Sequence, residues 1–265
     1  MKVYKNNKEI KRELRPVRIC AVLFLCVAVF AIIYYWVEGK NDKTNASRDE
    51  GVLGKYNKEA TAREKGADQV SKLLVVIDPG HGGNDPGKVG IDGVLEKDIN
   101  LEISIALETE LEERGIEALL LRTDDVNLAT EGATNKKTSD MKNRVAMINE
   151  SNPDILVSIH QNSYTDPEVR GPQVFYHGSS EESERLAIAM QEKLKDINPQ
   201  YARAAKEGND YYILNKTICP GVIVECGFLS CPAESALLTE KGYQQKIASA
   251  IVDAIEEIYK KGNAL

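Results

Sequence analysis

VVIDPGHGGNDPG, Val75 to Gly87, reads as a buried β-strand that runs into a glycine-rich loop. Val75, Val76 and Ile77 are β-branched and apolar, which suits a central strand. Asp78, Pro79 and Gly80 stop it. His81 then stands at the strand's carboxyl end, among glycines that let the backbone turn and come close to a ligand. A histidine held on a rigid strand end can offer a neutral ring nitrogen to a metal. A loop histidine alone carries little weight, so partners have to come from other segments.

Working outward, the same pattern repeats. Ile99, Ile103, Leu107 and Leu111 recur at helical spacing, with Gly115 as the C-cap. Strands follow at Glu117–Leu121 and Ile155–Ile159, with a helix from about Ser139 to Glu150 between them. A strand at Gln173–Tyr176 leads to a helix through Leu194, opened by a capping box of Ser179 and Glu182. Tyr211–Leu214 is a short apolar segment, and Val222–Val224 is another buried strand. Pro232 suits the first turn of a short helix, and Leu238 leads towards a last amphipathic helix through Tyr259. Alternating strands and helices, with continuous apolar strands, predict an α/β domain of three layers: a mostly parallel sheet covered by helices on both faces. Ligands in such sheets bind outside the carboxyl ends of the strands. His81, His160 and Glu225 each fall at such an end, and their convergence on one rim is the main reason to expect chemistry there.

The N-terminus has a different character. Ile19 to Val37 is an unbroken apolar run of 19 residues. At about 1.5 Å per helical residue it spans about 28 Å, the thickness of a bilayer's hydrocarbon core. Tyr34, Tyr35 and Trp36 form an aromatic belt at one end. Residues 1–18 hold seven Lys and Arg against two Glu, a charge of +5. The positive-inside rule puts that tail in the cytoplasm and everything after Glu38 outside. A cleaved signal peptide is the alternative, but Tyr-Tyr-Trp-Val-Glu offers no small-x-small cleavage site. The expected layout is a basic tail (1–18), a transmembrane anchor (19–37), a polar stalk (38–71) and an extracytoplasmic folded domain (72–262). With −7 overall, the chain beyond the tail carries −12, which argues against nucleic-acid binding. Of five cysteines, Cys20 and Cys26 sit in the apolar run, and Cys219, Cys226 and Cys231 leave at most one pair to bridge. No C-x-x-C spacing occurs, so a cysteine-based zinc site is not expected.

Catalytic zinc sites keep three protein ligands and one open position. His81 and His160 supply two nitrogens, and a carboxylate is the expected third. Glu96 can reach the rim, although it also fits as a helix-opening glutamate, and Asp98 competes with it. Glu225 would then be free to act as general base, unless it is a buried ion-pair partner of Arg122 or Arg144. His177, on the exit of its strand, reads as a surface or rim residue, and Cys226 as a small buried filler.

IDPGHGGNDPG, LEKDINL, LLLRTDD, VSIHQNS and VIVECGFLS, in this order, resemble the zinc-dependent N-acetylmuramoyl-L-alanine amidases over about residues 73–260. The resemblance implies one Zn2+ held by His81, Glu96 and His160, a catalytic Glu225, and substrate contact or support from Asn162 and Arg144. The implied substrate is peptidoglycan, cut between the muramic acid lactyl group and L-alanine. One N-terminal anchor, no wall-binding repeats and the segment NLATEGATNKKTSDMKNRVAMIN are most similar to the germination-specific type of endospore formers. That type removes stem peptides from cortex peptidoglycan, after which a deacetylase acts and muramic-δ-lactam forms; an activating protein partner is also allowed. Cys231 departs from the asparagine that the family often carries after GFLS. Rival expectations are a vegetative cell-wall amidase, a catalytically silent peptidoglycan-binding protein and a zinc carboxypeptidase.

Overall fold

The computed structural model describes residues 72–262; the expected tail, anchor and stalk lie outside the described residues. Among the described residues no helix is long and apolar enough to cross a membrane.

The strands are β1 (Leu74–Pro79), β2 (Glu117–Leu120), β3 (Ile155–Asn162), β4 (Gln173–Tyr176), β5 (Lys206–Glu207) and β6 (Gly221–Phe228). They form one sheet in the order β2-β1-β3-β6-β4-β5. β2, β1, β3 and β6 are mutually parallel, and β4 runs antiparallel to β6 and parallel to β5. The four parallel strands therefore end at one edge. The helices are α1 (Glu96–Glu113), α2 (Lys136–Ser151), α3 (Glu181–Ile197), α4 (Tyr212–Lys216), α5 (Pro232–Leu238) and α6 (Lys241–Gly262).

Side chains alternate between the two faces of a strand. Val75, Ile77, Val157 and Val224 share one buried cluster with Ile103 of α1, Met190 of α3 and Ile251 of α6. The intervening residues Val76, Leu156 and Ile223 are just as buried on the other face. That face also carries Asp78, Ser158, His160 and Glu225 by alternation, and Arg144 of α2 reaches Asp78 from above it. A sheet this dry on both sides explains why its strands read as continuous apolar runs.

Several boundaries differ from the sequence expectation. β3 continues past Ile159 to Asn162, with an irregular register between His160 and Asn162, so His160 lies inside a strand. The cap of α3 is Ser180, whose side chain accepts from Ser183 N at 3.1 Å, and not Ser179. α2 begins earlier, at Lys136, because the Asn135 side chain caps it by accepting from Thr138 N. The short helix opened by Pro232 and the separate last helix are both present, the second running from Lys241 to Gly262. Gly115 does end α1, with φ +77°. Cys219, Cys226 and Cys231 are free thiols.

Candidate metal centre

Asp78 ends β1 and starts the site. It is 2% exposed and is held by Arg144 and by the Ser158 hydroxyl, which donates to it at 2.7 Å. Burial alone would raise its carboxyl, but the Arg144 charge and the Ser158 hydrogen bond hold it below the usual carboxylate range. Arg144 also donates to the carbonyls of Pro79 (2.9 Å) and His81 (2.6 Å), and pairs with Asp140 of its own helix. Arg122 donates to the carbonyls of Pro79, Gly80, Lys97 and Asp124. Both arginines are 1% exposed. They clamp the backbone of the glycine loop, and neither pairs with Glu225. Arg144 has almost no exposed surface, and its bonds go to Asp78, Asp140 and the loop carbonyls.

The loop so held puts His81 at φ +62°, a left-handed conformation that a residue with a Cβ seldom takes. Such strain persists only where the surroundings impose it, and it concentrates at functional sites. The Nδ1 of His81 faces Asp85 Oδ2 at 3.0 Å, which turns Nε2 inward. Nε2 lies 3.2 Å from Glu96 Oε1. His160 brings its Nδ1 to the same oxygen at 2.9 Å. The two rings stand edge to face with centroids 5.0 Å apart.

Glu96 opens α1 and is 1% exposed, whereas Asp98 faces solvent. The hairpin of residues 88–95 carries it back to the rim, closed by Glu96 N donating to Lys88 O and Lys88 N donating to Glu96 Oε2. Gln161 N adds a bond to Oε1 at 3.1 Å. Burial opposes the charge, but the hydrogen bonds from His160 and His81 hold this carboxyl far below the usual range. Two glycines make room. A Cβ on Gly80 would meet the His160 ring at 2.3 Å, and one on Gly87 would meet Glu96 Oε2 at 2.5 Å.

His81, Glu96 and His160 each offer a ligand atom, all within 4.8 Å of one another, and could hold a metal ion. Two imidazole nitrogens and one carboxylate are a donor set suited to zinc. Glu225 lies beside them: it is the register partner of His160 in the β3–β6 ladder. Its Oε2 is buried with no hydrogen-bond partner among the described residues. Burial pushes its carboxyl up, against the lowering influence of His160. Asn162 is half-buried two residues beyond His160, its Oδ1 accepting from Ser163 N. His177 lies at the other end of β4, bonded to Ser179 and Asn215, away from this rim.

Asp85, Asn100 and Gln161 support the site, and no role for them at it emerged from the sequence; Arg122, weighed there as a partner of Glu225, holds the loop backbone instead. Their signal was present in the motifs GHGGNDPG, LEKDINL, LLLRTDD and VSIHQNS, where each stands within four residues of a candidate or of a strand end. The chain is 36% identical, over 70% of its length and 79% of the relative's, to the germination-specific N-acetylmuramoyl-L-alanine amidase of Bacillus subtilis. It is 37% identical to the CwlD amidase of Clostridioides difficile, solved in complex with the GerS lipoprotein, with a TM-score of 0.69 over 71% of this chain and 99% of that one. The catalytic domain of CwlV, an amidase from Bacillus (Paenibacillus) polymyxa var. colistinus, superposes with a TM-score of 0.63 at 29% identity, covering 71% of this chain and 98% of that one. Residues 75–257 match the family model for N-acetylmuramoyl-L-alanine amidase, and the chain belongs to that family.

Proposed function

We propose that this amidase uses one zinc ion held by His81, Glu96 and His160, with Glu225 as general base, to cut the bond between N-acetylmuramic acid and L-alanine in peptidoglycan. The observation that carries this reading is the pairing of a compact His/Glu/His cluster with an unpartnered carboxylate oxygen one strand away. When bound, zinc supplies positive charge that polarises the amide carbonyl and acidifies water.

The protein's own groups do the rest. The Asp85 carboxylate fixes the tautomer of His81 and leaves Nε2 as the ligating atom. Glu225 Oε2, free of internal bonds, takes the proton of the attacking water and returns it to the departing L-alanine nitrogen. A carboxyl raised by burial suits both halves of that transfer. Asn162, on the rim beyond His160, is assigned to substrate contact.

The finer assignment is spore cortex maturation, in which stem-peptide removal precedes deacetylation and muramic-δ-lactam formation. It is supported by the identity to the germination-specific relative. The apolar run at residues 19–37 supports an anchor that places the domain outside the cytoplasm, and a lipoprotein partner is carried over from the C. difficile complex.

Purified protein incubated with peptidoglycan and zinc should release stem peptides that begin at L-alanine, identified by mass spectrometry. Chelator and Glu225→Gln should each abolish release. Shortened stem peptides in place of intact ones would establish a peptidase and overturn the assignment. For the cortex role, spores lacking the protein should lack muramic-δ-lactam. Normal lactam would sink that role and leave the amidase standing.

A further inference from the structure

We propose that Asn100 and Gln161 are positioning residues that hold Glu96 in place for the metal; this rests on the ligand set proposed above. Asn100 is one helical turn after Glu96, on the same side of α1, and is fully buried. Its Nδ2 donates to Gly80 O at 3.1 Å and makes a longer contact, 3.4 Å, to Glu96 Oε1. Its Oδ1 accepts from Gln161 Nε2 at 3.2 Å. Gln161, 1% exposed, also gives its backbone N–H to Glu96 Oε1.

The orientation of each amide is forced by the one before it. Gly80 O can only accept, so Asn100 must turn its NH2 towards it and its oxygen towards Gln161. Gln161 must then present its own NH2, and its Oε1 is left buried with no partner. An unpaired buried oxygen is costly, and a methionine of similar shape would avoid it. The donor on Gln161 is therefore the atom in use. The residues tied together are also the neighbours of the ligands in sequence: Gly80 precedes His81, Gln161 follows His160, and Asn100 lies one turn from Glu96. Two amides lock three segments to one another behind the ligands.

The test uses the full-length protein, metal-free and zinc-loaded, as wild type, Gln161→Met and Asn100→Ala. Zinc affinity is read by competition with a chromophoric chelator, folding by melting of the metal-free form, and catalysis as kcat and KM at saturating zinc. Gln161→Met should melt within a few degrees of wild type yet bind zinc about 10–100-fold more weakly, with kcat largely restored by excess zinc. Asn100→Ala should lose more zinc affinity. Unchanged zinc affinity in a folded Gln161→Met, beside a wild type that binds zinc, would overturn the positioning role alone. A wild type that binds no zinc would overturn the ligand set with it.

Discussion

Glu96 and Glu225 sit at the same rim, the first on the opening turn of α1 and the second inside β6, in opposite surroundings. Glu96 is met by His81, His160, Asn100 and the backbone N–H groups of Lys88 and Gln161. Its charge is stabilised wherever it points. Glu225 is half-buried beside the same histidines, with one buried oxygen that no group among the described residues satisfies. Its charge is penalised by burial. A carboxylate surrounded by donors stays ionised and fixed, as a ligand must. One starved of donors stays ready to take a proton. Environments that push two acids apart are how one site divides ligand and base between identical side chains.

The largest break in that contrast is Glu225→Gln. It should lower kcat by about 10²–10⁴-fold, the usual worth of a general base. Zinc content, measured by elemental analysis, should stay at one ion per chain; loss of zinc would make Glu225 part of the metal site. Next is Asp78→Asn, which removes the other donor-rich carboxylate. It takes from buried Arg144 one of its two carboxylate partners, leaving Asp140, and removes the charge that the Ser158 hydroxyl meets, and should cost about 3–5 kcal/mol in denaturant melts. The pH dependence follows from the sign of the shift. Asp78 is held below its ordinary value of 3.8, so its contribution is complete above that pH and is lost as pH falls through the folded value. Wild type and variant should therefore converge in strong acid and diverge towards neutrality. Ser158→Ala removes one bond to the same carboxylate, and should cost about 1.5–3 kcal/mol by the same measurement. The smallest effect belongs to Asp98→Asn. This exposed acid meets only the start of the helix dipole, worth about 0.3–1 kcal/mol. Zinc affinity should not move; a drop in affinity would reopen the choice between Asp98 and Glu96.

Much of the fold and three corners of the site were legible before any coordinates. The apolar runs are continuous because helices cover both faces, but the strands themselves extend through Asp78 and Pro79 in β1 and past His160 in β3. Glu96 was only half legible. Its approach depends on the hairpin at 88–95 folding back, a matter of one backbone bond and one from Lys88 N to the Glu96 carboxylate that no periodicity announces. Arg144 was harder still: the sequence offered it as a partner of Glu225 or as substrate contact or support, and its pairing with Asp78 depends on the sheet that its helix covers. The cap of α3 slipped by one residue because Ser179 and Ser180 are equally good acceptors by type. Only the path of the chain chose between them.

By itself the sequence determined an α/β sheet, a glycine loop after the first strand, and the convergence of His81, His160 and Glu225 on one rim, although β3 and β6 run on past the last two. All of these follow from local rules: β-branched runs, strand breakers and the two-residue period of a strand. The tertiary structure decided which acid joins the histidines, which arginines clamp the loop, and which carboxylate oxygen is left unpaired. Those outcomes depend on hydrogen bonds between groups far apart in the chain, such as His160 to Glu96 across 64 residues. Such bonds exist only once β1, β3 and β6 lie side by side.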